Sequence, residues 1–105
     1  MEKFTIIVGY GFNENGAPLN LTAPQACETV ERVMLVCSRL GGWTLSECWG
    51  GWVHNGETFR EPSIRVEFAS DCGREYAERV ALCLRDTFEQ NSVYFEASEP
   101  SISFI

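Results

Sequence analysis

Any chemistry in this chain must draw on one histidine, five cysteines and fifteen acidic residues. His54 abuts an Asn55-Gly56 pair, a turn signal. A Ser-His-acid or Cys-His arrangement would have to use it. Nothing in the sequence sets Cys48 or a serine beside it with an acidic orienter, and a wet turn tip holds a base poorly. His54 therefore reads as a solvated turn residue, and no catalytic residue is assigned. Glu47, Glu57, Glu61 and Glu67 offer paired carboxylates for acid–base work. Glu61, near Arg60 and Arg65, reads as a structural ion pair instead. Glu47 alternates onto the face of Trp43, Leu45 and Trp49. There it is buried unless its strand is a sheet edge, and a buried carboxylate needs an arginine or a raised pKa. The cysteines at 27, 37, 48, 72 and 83 are odd in number and lack a C-x-x-C pair, which disfavours zinc and thioredoxin-like chemistry. Cys27, Cys37 and Cys83 fall on apolar stripes and read as buried reduced thiols. The sequence assigns no metal and no cofactor.

The elements that carry these groups fit one domain. A length of 105 residues supports a single core, and a hydrophobic fraction of 45% is ordinary for a folded protein. No apolar run approaches the ~18 residues of a membrane span. The first nine residues read as a strand rather than an export signal, so the expected location is cytoplasmic. The net charge is −7, and Lys3 is the single lysine. That balance disfavours direct binding to nucleic acid or an anionic membrane.

The chain is organised around a long tryptophan-rich hairpin over residues 41–70, closed at Asn55-Gly56. Simple pairing sets Trp43 opposite Phe68 and Leu45 opposite Val66. Gly50-Gly51 reads as a β-bulge that turns Trp52 to the side used by Trp49. Pro62 is expected to break regular pairing in the return arm. Before the hairpin, residues 3–10 form a strand with Phe4, Ile6, Val8 and Tyr10 on one face. A loop follows over residues 11–21. Its Gly9-x-Gly11 is no phosphate loop, because about ten residues separate it from the next helix. That helix starts at Thr22, where Thr22-Ala-Pro-Gln25 fits a capping box, and ends at Gly41. Its stripe is Ala26, Val30, Val33, Met34, Cys37 and Leu40, with Glu28–Arg32 as an outer pair. A second helix is capped near Ser70-Asp71, with Tyr76, Val80, Cys83, Leu84, Thr87 and Phe88 as its stripe and Asn91 as its left-handed cap. Residues 92–98 form the last strand, and the apolar tail 101–105 can dock or join a sheet edge.

The order βαββαβ predicts a ferredoxin-like α+β sandwich, with both helices on one face of an antiparallel sheet. The other face is open and carries Thr5, Ile7, Thr44, Ser46, Cys48, Arg65, Glu67, Tyr94 and Glu96. An RNA-recognition surface needs aromatics on its central strands, and only Tyr94 qualifies as a stacker here.

Four short patterns resemble a family of small uncharacterised bacterial and phage proteins. They are Gly41-Gly42-x-Thr44, Gly50-x-Trp52, Gly56-x-x-x-x-Glu61-x-Ser63 and Phe88-x-Gln90-x-Ser92-Val93, and the likeness spans about residues 4–97. The resemblance implies a ferredoxin-like domain and no particular activity.

Two functional readings follow. The first is a non-enzymatic interaction protein, in one version a phage-encoded inhibitor of the anti-CRISPR or anti-restriction type. Its acidic surface would occupy a basic nucleic-acid-binding site on a protein partner. Trp49, Trp52, Glu28, Glu31, Glu75, Glu78, Asp86 and Glu89 would make that contact. The alternative is a dimeric small-molecule-binding protein or enzyme, with Tyr94, Arg65, Glu67 and Cys48 lining a cleft on the open face.

Overall fold

The computed structural model describes residues 2–37 and 40–98, with His54 described by its backbone alone. The chain runs β1 (Glu2–Gly9), α1 (Ala23–Val36), β2 (Thr44–His54), β3 (Glu57–Ser70), α2 (Arg74–Thr87) and β4 (Tyr94–Ser98). The strands pair antiparallel in the order β2-β3-β1-β4, the ferredoxin-like arrangement. The tail at 101–105, given a docking role above, lies outside the described residues.

Alternation explains which sheet face is closed. Phe4, Ile6 and Val8 of β1 and Ile64, Val66 and Phe68 of β3 are buried beneath Ala26, Val30 and Met34 of α1 and Ala77, Val80, Ala81 and Leu84 of α2. The Phe4 ring meets Phe68 at 5.3 Å and Phe95 at 6.0 Å. Burying each large apolar side chain contributes roughly 1.5–3 kcal/mol before entropy is counted. The α1 capping box forms as its sequence dictates: Thr22 Oγ1 accepts from Gln25 N–H, and Gln25 Oε1 accepts from Thr22 N–H.

Several local expectations are corrected. The β2–β3 ladder runs without a bulge from Thr44↔Glu67 to His54↔Glu57, so Gly50-Gly51 shifts nothing. Trp52 consequently lies on the face opposite Trp49. Pro62 breaks no pairing: its carbonyl accepts from Tyr10 N–H, so its backbone polar atoms face the β1 side of the strand. α1 stops at Val36, where a turn from Cys37 C=O to Leu40 N–H returns Leu40 to the core. Helix α2 takes Gly73, with no side-chain bond, as its N-cap, while Ser70 Oγ accepts from Cys72 N–H one turn earlier. Glu89, not Asn91, carries the left-handed φ after α2. The buried stripe of α2 is rotated toward Ala77 and Ala81, which leaves Cys83 and Thr87 exposed. Cys72 is the buried cysteine; Cys27 and Cys37 are half-buried.

Candidate functional site

On β3 the alternation sends Phe59, Glu61, Ser63, Arg65 and Glu67 to the open face. Glu61 is nevertheless only 7% exposed. Its partners are backbone amides rather than the expected arginines. Oε2 accepts from Gly11 N–H at 3.2 Å and from Phe12 N–H at 3.3 Å. Arg65 pairs with Glu67 instead, at 2.6 Å. The carboxylate lies directly over Gly9, where an added Cβ would stand 2.2 Å from Oε1. At Gly11 it would stand 3.1 Å from the Glu61 Cβ and the Pro62 Cδ. The Gly9-x-Gly11 spacing thus makes room for a side chain fifty residues away.

The connection from β1 to α1 folds back on itself. Phe12 bridges Pro18, and Leu19 N–H donates to Gly11 C=O. Asn13 Oδ1 accepts from Asn15 and Ala17 N–H, and Gly16 supplies the positive φ its tip requires. From the far end of α2, Gln90 Nε2 donates to Phe12 C=O at 2.6 Å, and Glu89 C=O accepts from Glu14 N–H at 2.7 Å.

Together these segments enclose a cavity of ≈ 760 Å³ on the open face. Its floor includes Gly9, Glu61 and Ser63. The Trp52 and Phe59 rings, stacked 15° apart with centroids at 5.5 Å, line it together with Phe12 and Tyr94. Gly50 keeps the floor open, because a Cβ there would meet Ser63 Oγ at 3.0 Å. The charged residues of the lining are Glu14 and Glu61. The volume is in the range of small-molecule sites.

Most of the residues that carried the family resemblance meet here. Gly50, Trp52, Glu61, Ser63, Gln90, Ser92 and Val93 all line the cavity, and Phe88 anchors the last pattern in the core. Of the ligand candidates, only Tyr94 lines it. Arg65, Glu67 and Cys48 share its sheet face, paired as Ser46↔Arg65, Thr44↔Glu67 and Cys48↔Ser63. Burial pushes the Cys48 thiol up, and nearby Arg65 opposes that. Burial likewise raises Cys27 and Cys37, in keeping with reduced thiols that stay protonated. Tyr94 donates to Glu96 at 2.9 Å, and that bond holds its phenol above the usual value.

Of the interaction candidates, Trp49 is 75% exposed, on the face away from the cavity. Glu47 is exposed because β2 is a sheet edge. The acidic candidates on the helices are exposed, but four have arginine partners nearby in sequence: Glu28–Arg32, Glu75–Arg79, Glu78–Arg74 and Asp86–Arg85. Glu31 and Glu89 are exposed as well. Among the described residues no cluster of three His, Cys, Asp or Glu could hold a metal, and no helix is long and apolar enough to cross a membrane.

Sequence reasoning singled out Glu61 but gave it arginine partners, and it passed over the loop around Phe12. The signals were present as glycines at 9 and 11 and as the Glu61-x-Ser63 pattern, but no local rule joins them.

No family model and no curated protein matches the chain by sequence. Solved structures do match. A phage SAM lyase in complex with S-methyl-5′-thioadenosine is 19% identical, with a TM-score of 0.69 over 93% of this chain and 80% of that one. The divalent cation tolerance protein CutA from Archaeoglobus fulgidus is 9% identical, with a TM-score of 0.67 over 99% and 88%. The B. subtilis GlnK–ATP complex is 13% identical, with a TM-score of 0.56 over 95% and 84%. At these identities the likeness establishes a shared ferredoxin-like fold.

Proposed function

We propose that the cavity over Glu61 binds a sulfonium nucleoside of the S-adenosylmethionine type, and that the chain cleaves it to release S-methyl-5′-thioadenosine. One observation carries this reading: a buried carboxylate lies among flat aromatic walls, with no lysine or arginine among the described lining residues. An adenine ring stacks on such walls, and a sulfonium cation is attracted both by π faces and by a carboxylate. A triphosphate, as in the GlnK–ATP neighbour, would instead meet Glu14 and Glu61 with no lining cation to offset them. The net charge of −7 favours a cation in the same sense. A phage protein of this fold is a SAM lyase, which supports the reaction class.

In the proposed step the bond between the sulfonium sulfur and the γ-carbon of the amino-acid arm breaks. Sulfur keeps the electron pair and becomes a neutral thioether. The substrate's own carboxylate attacks the γ-carbon and closes a lactone, so no proton moves and no protein base is required. Opposite charges vanish in this step, so apolar walls that displace water from the reacting atoms on binding would favour it over bulk water. In this reading, consuming a methyl donor is an anti-restriction route that needs no basic site to occupy. Incubation with S-adenosylmethionine, read by chromatography, should yield S-methyl-5′-thioadenosine, with the rate lost in Glu61→Ala. An unchanged substrate pool, with no calorimetric binding of S-methyl-5′-thioadenosine, would overturn the reading.

A protein-inhibitor reading has one observation in its favour, the exposure of Trp49 above a second hollow of ≈ 490 Å³ that includes Arg60. In it Trp49 and the acidic residues Glu28, Glu31, Glu75, Glu78, Asp86 and Glu89 occupy a basic surface of a nucleic-acid-binding defence complex. Salt-sensitive capture of a basic partner, weakened by charge reversal, would support it; salt-independent capture would not. A homodimer formed through β2 or β4, the edge strands among the described residues, is a separate reading that light scattering decides.

A further inference from the structure

Phe12 is held from two directions by residues remote in sequence. Its N–H donates to Glu61 Oε2 of β3, and its C=O accepts from Gln90 Nε2 beyond α2. The same Nε2 donates to Phe88 C=O at 2.9 Å. A side-chain amide nitrogen carries two hydrogens, and both are engaged here. Both partners are carbonyls, so the amide has one workable orientation; its oxygen could not take that place. Gln90 N–H donates to Arg85 C=O, which ties the clamp to the last turn of α2. Phe88, one of the two carbonyl partners, is fully packed in the core. The bonds inside the loop close its tip but do not fix its tip against the sheet. That attachment comes from Glu61 and Gln90, with the Glu14–Glu89 backbone bond beside them, while Leu19 and Leu21 pack the far end of the connection against the core.

Resting on the sulfonium-nucleoside reading, we infer that Gln90 is a positioning residue of this site. It sets the Phe12 wall of the cavity and thereby the fit and selectivity for a flat aromatic ligand. Gln90 itself lines the cavity, but both its amide hydrogens are engaged by the Phe12 and Phe88 carbonyls, so its effect on binding is to act through Phe12 and vanish when the Phe12 ring is removed. This role also explains the Phe88-x-Gln90 spacing. The phenylalanine docks in the core, and two residues later the amide reaches both the Phe88 carbonyl and the loop.

The test compares Gln90→Glu, Gln90→Ala, Phe12→Ala and the two double variants with the unaltered chain. Gln90→Glu keeps the size and loses the donor, setting oxygens against two carbonyls. Calorimetry with S-methyl-5′-thioadenosine should give about a tenfold weaker Kd for each Gln90 variant, the scale of one lost hydrogen bond. In the Phe12→Ala background, the same Gln90 changes should alter Kd by less than about twofold, as a double-mutant cycle requires for residues acting as a unit. Unaltered binding by the Gln90 variants, or a tenfold loss that persists without the Phe12 ring, would overturn the proposal while leaving the sulfonium reading intact. If the unaltered chain fails to bind, the sulfonium reading falls, and hydrogen exchange decides the Gln90 role alone. Faster exchange at residues 11–19 in Gln90→Glu would uphold the clamp, and unchanged exchange would refute it.

Discussion

The turn at Asn55-Gly56 and the connection from β1 to α1 solve the same problem, reversing or redirecting the chain beside the sheet, by opposite means. The turn is local: Asn55 and Gly56 have φ of 51° and 78°, the pair of left-handed residues a type I′ hairpin needs. The connection is remote: Glu61 bonds across fifty residues of sequence and Gln90 across seventy-eight. A turn closed locally can change without disturbing distant groups, whereas a connection closed remotely fails wherever any partner fails. The candidate cavity is built on the second kind, so disruption in β1, β3 or the α2–β4 segment reaches the same cavity wall.

The largest expected effect breaks the remote closure at its tightest point. Gly9→Ala sets a Cβ inside the volume of the Glu61 carboxylate and leaves two amides without their acceptor. Urea unfolding should register a loss of about 2–4 kcal/mol, with ligand binding abolished. A stability change below about 0.5 kcal/mol would mean that the carboxylate has another place to go.

Glu61→Gln comes next. It keeps an acceptor for the amides and removes the carboxylate, so it should cost about 1 kcal/mol while weakening sulfonium binding much more than binding of the neutral thioether product. Equal weakening of the two ligands would show that Glu61 serves only the loop.

Gly56→Ala tests the local side of the comparison. It should cost about 1 kcal/mol through its positive φ and leave ligand affinity unchanged. A change in affinity would tie the hairpin tip to the cavity.

The smallest effect concerns pH. The Tyr94 phenol is raised above its ordinary value of 10.0, first by its hydrogen bond to Glu96 and then by that residue's charge. A raised folded pKa means its contribution to stability is complete below pH 10 and disappears as pH climbs through the folded value. Tyr94→Phe should therefore flatten the alkaline end of the stability curve, and an absorbance titration should lose one of its raised phenols, leaving that of Tyr10.

Much of the architecture was legible from local rules. Alternation in residues 4–8 and 64–68 marked the core face, Thr22-Ala-Pro-Gln25 marked the start of α1, and Asn55-Gly56 fixed the hairpin register. Gly50-Gly51 misled, because two glycines signal a bulge or a close approach equally well; here Gly50 makes the close approach, beside Ser63 on the cavity floor. Cys83 misled because the buried stripe of α2 runs through Ala77, Val80, Ala81 and Leu84, small residues included, which turns Cys83 to the exposed side.

The sequence by itself determined the order of elements, the pairing across the Asn55-Gly56 hairpin and the closed face, since each follows from periods of two or 3.6 residues and from turn chemistry within a few positions. Only the tertiary structure decided the site. Glu61 became a loop anchor instead of an ion-pair partner because the ladder set it over Gly9 and within reach of the Gly11 and Phe12 amides. Gln90 became the second anchor because packing of Phe88 fixed where α2 ends. Contacts of that range depend on where whole elements dock, and no periodicity in the chain records it.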